Sequence, residues 1–399
     1  MSEWHDPRAW SGERTHWGKW GGKSNILEAI AFAAAAAGDK LDNEFLTSRG
    51  VRVTDPSFMR SAFGADSYLK PIEMGVSLLG ADSDLVELNY SIDNDNSPYA
   101  KWSVNSEAHG ELSYKVEELL SQLKDFSEGD NVSEEDLRSI LRLLRRVRHV
   151  IAGHDPKGDE SLTVQAGEGR LEFADARINS LVSRFSDFII YSPENSMLRT
   201  LEREGQVLPL GINGEGLLRF LQVISSDAEG RSYEYVKEAL SLFSWYEDFD
   251  VSRGDSDKWV YAKDKFLWEG RNWIDQRSTN EGFLFAAFYF SLFSSERTPP
   301  FFAIDNVDAS LNPKLCVEVM KRISFISKEM NKQCILTTHN PAILDGLDLT
   351  DPEHKLFVVS RNRTGGTVVR SFDKKPDISK KKMSELFLAG SLGGLPKGF

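Results

Sequence analysis

The chain has 399 residues, 40% hydrophobic and 27% charged, enough to bury a core in two or three domains or in one large domain with an insertion. A net charge of −13 gives nucleic acid no global attraction, so any such contact needs a local basic patch. Two cysteines in apolar segments, Cys316 and Cys334, lack metal-ligand spacing and read as buried thiols, and no apolar run is long enough for a membrane span. The amino terminus is polar rather than signal-like, so the expected compartment is the cytoplasm.

Residues 1–21 carry four tryptophans, Trp4, Trp10, Trp17 and Trp20, without strand or helix periodicity. The stretch GKWGGKSNILEAI, Gly18 to Ile30, ends like a phosphate loop entering its helix. The full pattern G-x-x-x-x-G-K-[ST] needs a glycine where Trp17 stands. From Ser24 the pattern predicts a helix with Ile26, Leu27, Ile30 and Phe32 on its apolar side and Gly38 as its stop. PIEMGVSLLG and LVELNYSID alternate as a hairpin. From Glu111 to Val150 the chain reads as charged and helical, with a capping box at Ser133 and Asp136. GDESLTVQAGEGR reads as a polar linker, FIIYSP as a buried strand and GINGEGLLRFLQVI as a glycine turn entering a helix. A second helical stretch is expected over Tyr233 to Tyr246. EGFLFAAFYFSLF, PFFAID, PKLCVEVMKRISFISKEM, QCILTTHN and KLFVVSRN then alternate helix and apolar strand, which argues a buried, mostly parallel sheet.

The last third carries the chemistry. PFFAID delivers Asp305 to a sheet edge, where a P-loop ATPase holds the water shell of Mg²⁺. After a helix, QCILTTHN delivers His339 to the same edge. RSTNEGFLF places Ser278 and Gly282 before an apolar helix, whose first N–H groups can receive an anion. Alone, each piece has a plainer explanation: a turn carboxylate, a structural histidine, a helix cap.

In this order GKSNILEAI, STNEGF, FFAIDNVDASLNP and LTTHNPAILD resemble the Walker A end, signature, Walker B with D-loop, and switch histidine of ABC-type ATPases. Within these the chain resembles the SMC-like and overcoming-lysogeny-like branch, often grouped with AAA-type ATPases and common in bacterial antiphage defence. The resemblance implies an α/β P-loop head with a mostly parallel core sheet, an antiparallel β subdomain and a helical insertion. Residues 1–110 would be the amino-terminal part of the head, 111–187 the insertion and 188–399 the carboxy-terminal part.

The resemblance implies ATP and Mg²⁺ as cofactors. Gly21, Gly22, Lys23, Ser24 and Asn25 would hold phosphate, with Lys23 on the β- and γ-phosphates and Ser24 on the metal. Asp305 would hold the metal's water shell and His339 would sense the γ-phosphate. Ser278 and Gly282 would cap nucleotide bound by a second subunit, with Asn312 at that interface. A homodimer or larger even oligomer follows.

Two departures qualify this. The residue after the Walker B acid is usually Glu, but here it is Asn306, which can orient a water and cannot take its proton. Asp308 is the nearest spare carboxylate, set behind because it lies within the D-loop. The second departure is that residues 1–21 supply no first strand, and Trp17 would put an indole where backbone should approach phosphate. The simplest expectation is a missing or replaced first strand, with a remodelled loop as the alternative.

Three functions are compatible with these residues. One is an ATPase head controlling an effector; 60 residues follow His339, too few for a Toprim nuclease, so any nuclease is expected on a separate chain. Another is an SMC-like clamp on nucleic acid, and the third a nucleotide-free regulatory subunit. The stripe Arg142, Arg145, Arg146, Arg148 and His149 reads first as a solvated face, with nucleic-acid contact the minority reading. The tail LFLAGSLGGLPKGF reads as turns that dock the carboxy terminus.

Overall fold

The structure, a computed structural model, describes residues 22–60, 69–79, 85–96, 101–110, 164–167, 170–173, 176–200, 207–227, 231–251, 260–362, 366–372 and 382–392. The amino-terminal tryptophans, Gly21, the Ser133 capping box and the arginine stripe lie outside the described residues.

Helix α1 (Gly22–Ala37) is buried on most of its surface, because its alanine run lets neighbours approach from several sides. It ends as expected at Gly38, although the left-handed residue of the stop is Asp39. Helix α2 (Asn43–Ser48) is capped by Asp42, which accepts from the Phe45 N–H, and α3 (Pro56–Met59) is capped by Asp55. Strands β1 (Ile72–Leu79) and β2 (Leu85–Asp93) form the expected antiparallel hairpin. A third strand, β3 (Ser103–Gly110), joins them. The end of the segment read as a linker holds a strand, β4 (Val164–Gly167), which pairs antiparallel with β5 (Arg170–Phe173).

Helix α4 (Ala176–Ser186) leads into β6 (Ile190–Tyr191), then α5 (Asn195–Leu198), α6 (Leu217–Ser225) and α7 (Arg231–Leu240). The expected helix to Tyr246 stops at Leu240, and Tyr246 instead opens a strand. Strands β7 (Tyr246–Val251), β8 (Val260–Asp264) and β9 (Trp273–Asp275) make an antiparallel sheet that runs into α8 (Glu281–Ser294). Then come β10 (Phe301–Ile304), α9 (Pro313–Glu329) and β11 (Gln333–Leu336). The chain continues through a 3₁₀ segment (Pro341–Gly346), β12 (Phe357–Arg361), β13 (Thr367–Ser371) and α10 (Met383–Leu388).

Strands β11, β10 and β6 form a parallel sheet in that order. Phe302, Ala303 and Ile304 are all fully buried, the mark of a strand covered on both faces. Successive side chains point to opposite sides. Phe302 and Ile304 pack into the cluster holding α8, α9, α6 and α7, while Ala303 joins Ile190, Phe188 and the α1 side. That second cluster includes Phe185 of α4 and Met74, Leu88, Tyr90 and Ile92 of the β1–β3 sheet. The fold is thus α/β, with a parallel core sheet and antiparallel sheets beside it. KLFVVSRN does not extend the parallel sheet: β12 pairs antiparallel with β13. The tail docks as expected as far as Leu392, through Met383, Leu386 and Leu392 against Leu344. Among the described residues no helix is long and apolar enough to cross a membrane.

Candidate functional site

The parallel strands end at one edge of the sheet, and α1 begins there. Ser24, on the first turn of α1, donates its hydroxyl to Asp305 Oδ2 at 2.8 Å. Asp305 follows the last residue of β10, and its backbone N–H is held by the Tyr191 carbonyl of β6 at 2.8 Å. Its other oxygen, Oδ1, accepts from the Thr337 hydroxyl. Lys23 Nζ lies 2.9 Å from Nε2 and 3.1 Å from Nδ1 of His339, three residues beyond the end of β11. Residues more than three hundred positions apart are therefore within bonding distance, as the order of the motifs predicts.

Burial pushes the Lys23 ammonium below the usual lysine range, while the negative charges of Asp305 and Asp308 hold it up. A part-buried cation whose near partner is an imidazole rather than a carboxylate suits a phosphate. The first turn of α1 adds backbone N–H groups beside it. Ser24 and Asp305 are hard oxygen donors of the kind Mg²⁺ takes. These side chains fit a magnesium nucleotide, with Lys23 on phosphate and Ser24 and Asp305 on the metal side. Bound there, the metal would neutralise phosphate charge.

Gly22 has a packing reason as well as its motif position. A Cβ there would lie 2.3 Å from Val359 Cγ1 of β12, so only glycine lets the hairpin close on the start of α1. Asn25 is buried, and its Oδ1 accepts from Arg52 Nη2 at 3.2 Å. The same guanidinium grips Glu28, with Nη2 to Oε2 at 3.1 Å. Arg52 is thus a second cation beside the first turns of α1, and the linear sequence gives no sign of it because it follows α2 rather than a motif.

Asn306 has a left-handed backbone, φ +55°, and an exposed side chain, and its N–H donates to Thr337 Oγ1 at 2.9 Å. Thr337 thus joins Asp305 to Asn306, a role the sequence reading missed although the paired threonines before His339 were its signal. Thr338 performs the parallel task on the next turn, donating to Asp308 Oδ1 at 2.6 Å.

Ser278 and Gly282 are not in this bonded group. Ser278 is exposed at the start of α8, its N–H accepted by Asp275 Oδ1 at 2.9 Å. A Cβ on Gly282 would lie 3.1 Å from the Ser310 carbonyl, so the signature turn rests on the D-loop of its own chain. The Ser310 hydroxyl also donates to Glu281. Arg199, another residue missed in the sequence, braces this turn from behind. It donates to the carbonyls of Gln276, Arg277 (2.9 Å) and Thr279 (3.0 Å), and its Nε to Asn195 Oδ1 at 2.9 Å. Asn312 caps α9, accepting from the Leu315 N–H at 3.0 Å.

The family model described as "AAA domain, putative AbiEii toxin, Type IV TA system" matches residues 21–345, most of the chain. The chain belongs to this family. It is a P-loop domain of the ATPase type. Among solved structures, an Smc head bound to the C-winged helix domain of ScpA is 15% identical, covers 89% of each chain and gives a TM-score of 0.50. This is a likeness of fold. An Smc head with an extended coiled coil from Pyrococcus furiosus gives 15% identity over 88% of this chain and 87% of that one, with a TM-score of 0.40. An SMC head domain from Thermotoga maritima gives 12% identity over 76% and 75%, at 0.32, and neither of these two adds to the argument. No curated protein matches the chain.

Proposed function

We propose that the chain is an ATP-binding head that hydrolyses its nucleotide slowly, dimerises around it and controls a separate effector protein. One observation carries the reading: Lys23 and Ser24 meet His339 and Asp305 at the edge where β10 and β11 end. In this reading Lys23 binds the β- and γ-phosphates, Gly21, Gly22 and Asn25 shape the loop, and Ser24 and Asp305 serve Mg²⁺. His339 senses the γ-phosphate. Ser278 and Gly282 cap the nucleotide of the second protomer, which accounts for the exposure of Ser278 and for its lack of a bond to the Lys23 group. Asn306 slows the chemistry, because an amide orients water without accepting its proton.

The family's description, which names a putative AbiEii toxin and a type IV TA system, supports a toxin–antitoxin setting; antiphage defence with a nuclease as the effector is the form of it proposed for this chain. The fold's likeness to an Smc head bound to a winged-helix domain supports a head that works through a partner protein. Calorimetry with ATP and Mg²⁺ tests the core of the reading. The wild-type chain is expected to bind, Lys23→Ala to lose about tenfold or more in affinity, about 1.4 kcal/mol, and Asp305→Ala to lose its dependence on Mg²⁺. A wild-type chain that binds no ATP, or a Lys23→Ala variant that binds equally well, overturns it.

A further inference from the structure

Resting on that reading, we propose that Asp308 is a positioning residue for hydrolysis, setting His339 through bonds to Thr338 and to the His339 backbone. Asp305 has both oxygens engaged, by Ser24 and by Thr337. Asn306 is an amide on a left-handed backbone. The carboxylate that faces the histidine loop is instead Asp308. Its Oδ1 accepts from Thr338 Oγ1 at 2.6 Å and from the His339 N–H at 3.3 Å.

The segment carrying Asp308 is held on both sides. Val307 is fully buried, and its N–H donates to the Thr337 carbonyl at 3.0 Å. Two turn bonds follow, Ala309 N–H to the Asn306 carbonyl at 2.9 Å and Leu311 N–H to the Asp308 carbonyl at 3.2 Å. Asp308 therefore projects from a fixed base. The loop it grips is short: the Asn340 N–H donates to Thr338 Oγ1 at 2.9 Å, and Asn340 Oδ1 accepts from the Ala342 N–H at 3.0 Å. Between these two anchors stands His339, whose ring touches Lys23. With Asp308 removed, the near anchor is lost while the Ser24–Asp305–Thr337 bonds stay, and Lys23 loses one of the two negative charges that hold up its ammonium. The bonds lost are those that place His339, whereas the effect on Lys23 is one of charge alone.

The experiment compares Asp308→Ala with Asp308→Asn in the full chain, each checked for wild-type thermal unfolding. Asparagine keeps an Oδ1 that accepts both bonds, whereas alanine keeps neither. Asp308→Ala is expected to lower kcat for ATP by about tenfold to a hundredfold with KM little changed, and Asp308→Asn to stay within about threefold of wild type. In nucleotide-free protein, amide exchange across residues 337–340 should rise in the alanine variant and not in the asparagine variant. Wild-type kcat in Asp308→Ala, an equal loss in both variants, or unaltered exchange in Asp308→Ala overturns the proposal. Absence of ATP binding by the wild type sinks the underlying reading instead, and the exchange measurement then still decides whether Asp308 holds His339.

Discussion

A left-handed backbone at Asn306 changes how its missing carboxylate is to be understood. Non-glycine residues pay about 1–2 kcal/mol in this region, and asparagine is among those that tolerate it best. At φ +55° the position suits Asn more than Glu, so the amide eases the turn while removing a proton acceptor. Asn306→Glu is accordingly expected to raise ATP turnover by about tenfold or more and to cost about 1 kcal/mol of stability. Phosphate release and thermal unfolding, followed in the same preparation, check both halves. Unchanged turnover with intact binding would show that residue 306 does not face the attacking water. At this scale Lys23, Ser24, Asp305 and His339 were legible because each sits at a fixed offset from a strand end or helix start. Thr337, Arg52 and Arg199 were not, since their work is to hold other residues across long sequence separations.

At the scale of elements, the signature turn shows how placement depends on a residue outside any motif. Strand β9 ends at Asp275, whose carbonyl accepts from the Ser278 N–H at 3.0 Å and the Thr279 N–H at 2.9 Å. Arg199 then ties three carbonyls of that turn to α5. Asn280, which precedes α8, makes no side-chain cap bond, so the turn is held by Asp275 on one side and Arg199 on the other. Arg199→Met keeps the aliphatic stem and leaves those carbonyls without their donor. It is expected to cost about 1–3 kcal/mol in stability and to weaken nucleotide-driven self-association, with ATP affinity of the single chain retained. Equal loss of ATP affinity would mean that the turn also supports the Lys23 side.

The elements themselves divide by the strength of their pattern. Helices α8 and α9 and strands β10 and β11 were readable because they are long, apolar or bounded by caps. Strand β3 (SVNSEAHG) and the β4–β5 hairpin carry little apolar alternation, and pairing with neighbours rather than their own composition defines them. Tyr246 misled because its aromatic neighbours Phe243 and Trp245 continue the helical look, while the chain has already turned to enter β7.

At the scale of the whole molecule, Lys23 bonds to His339 and Ser278 to Asp275, with no bond between the two groups among the described residues, and the proposed site needs both. A two-fold arrangement resolves this by setting one protomer's Lys23 against the other's signature turn. The arrangement makes a prediction that binding data cannot mimic. Lys23→Ala damages the phosphate side only, and Ser278→Phe places bulk on an exposed position of the signature side only. Each variant alone is expected to lose turnover. Mixed in equal amounts and allowed to exchange, random pairing makes about half of the dimers mixed. A mixed dimer holds one site with both damaged halves and one with neither. About a quarter of wild-type turnover should therefore return, most easily read in an Asn306→Glu background where the basal rate is higher. Mixtures that stay inactive, although sedimentation shows the two variants pairing in the presence of ATP, would place the Lys23 and Ser278 of one chain on the same nucleotide and dismantle the shared-site arrangement.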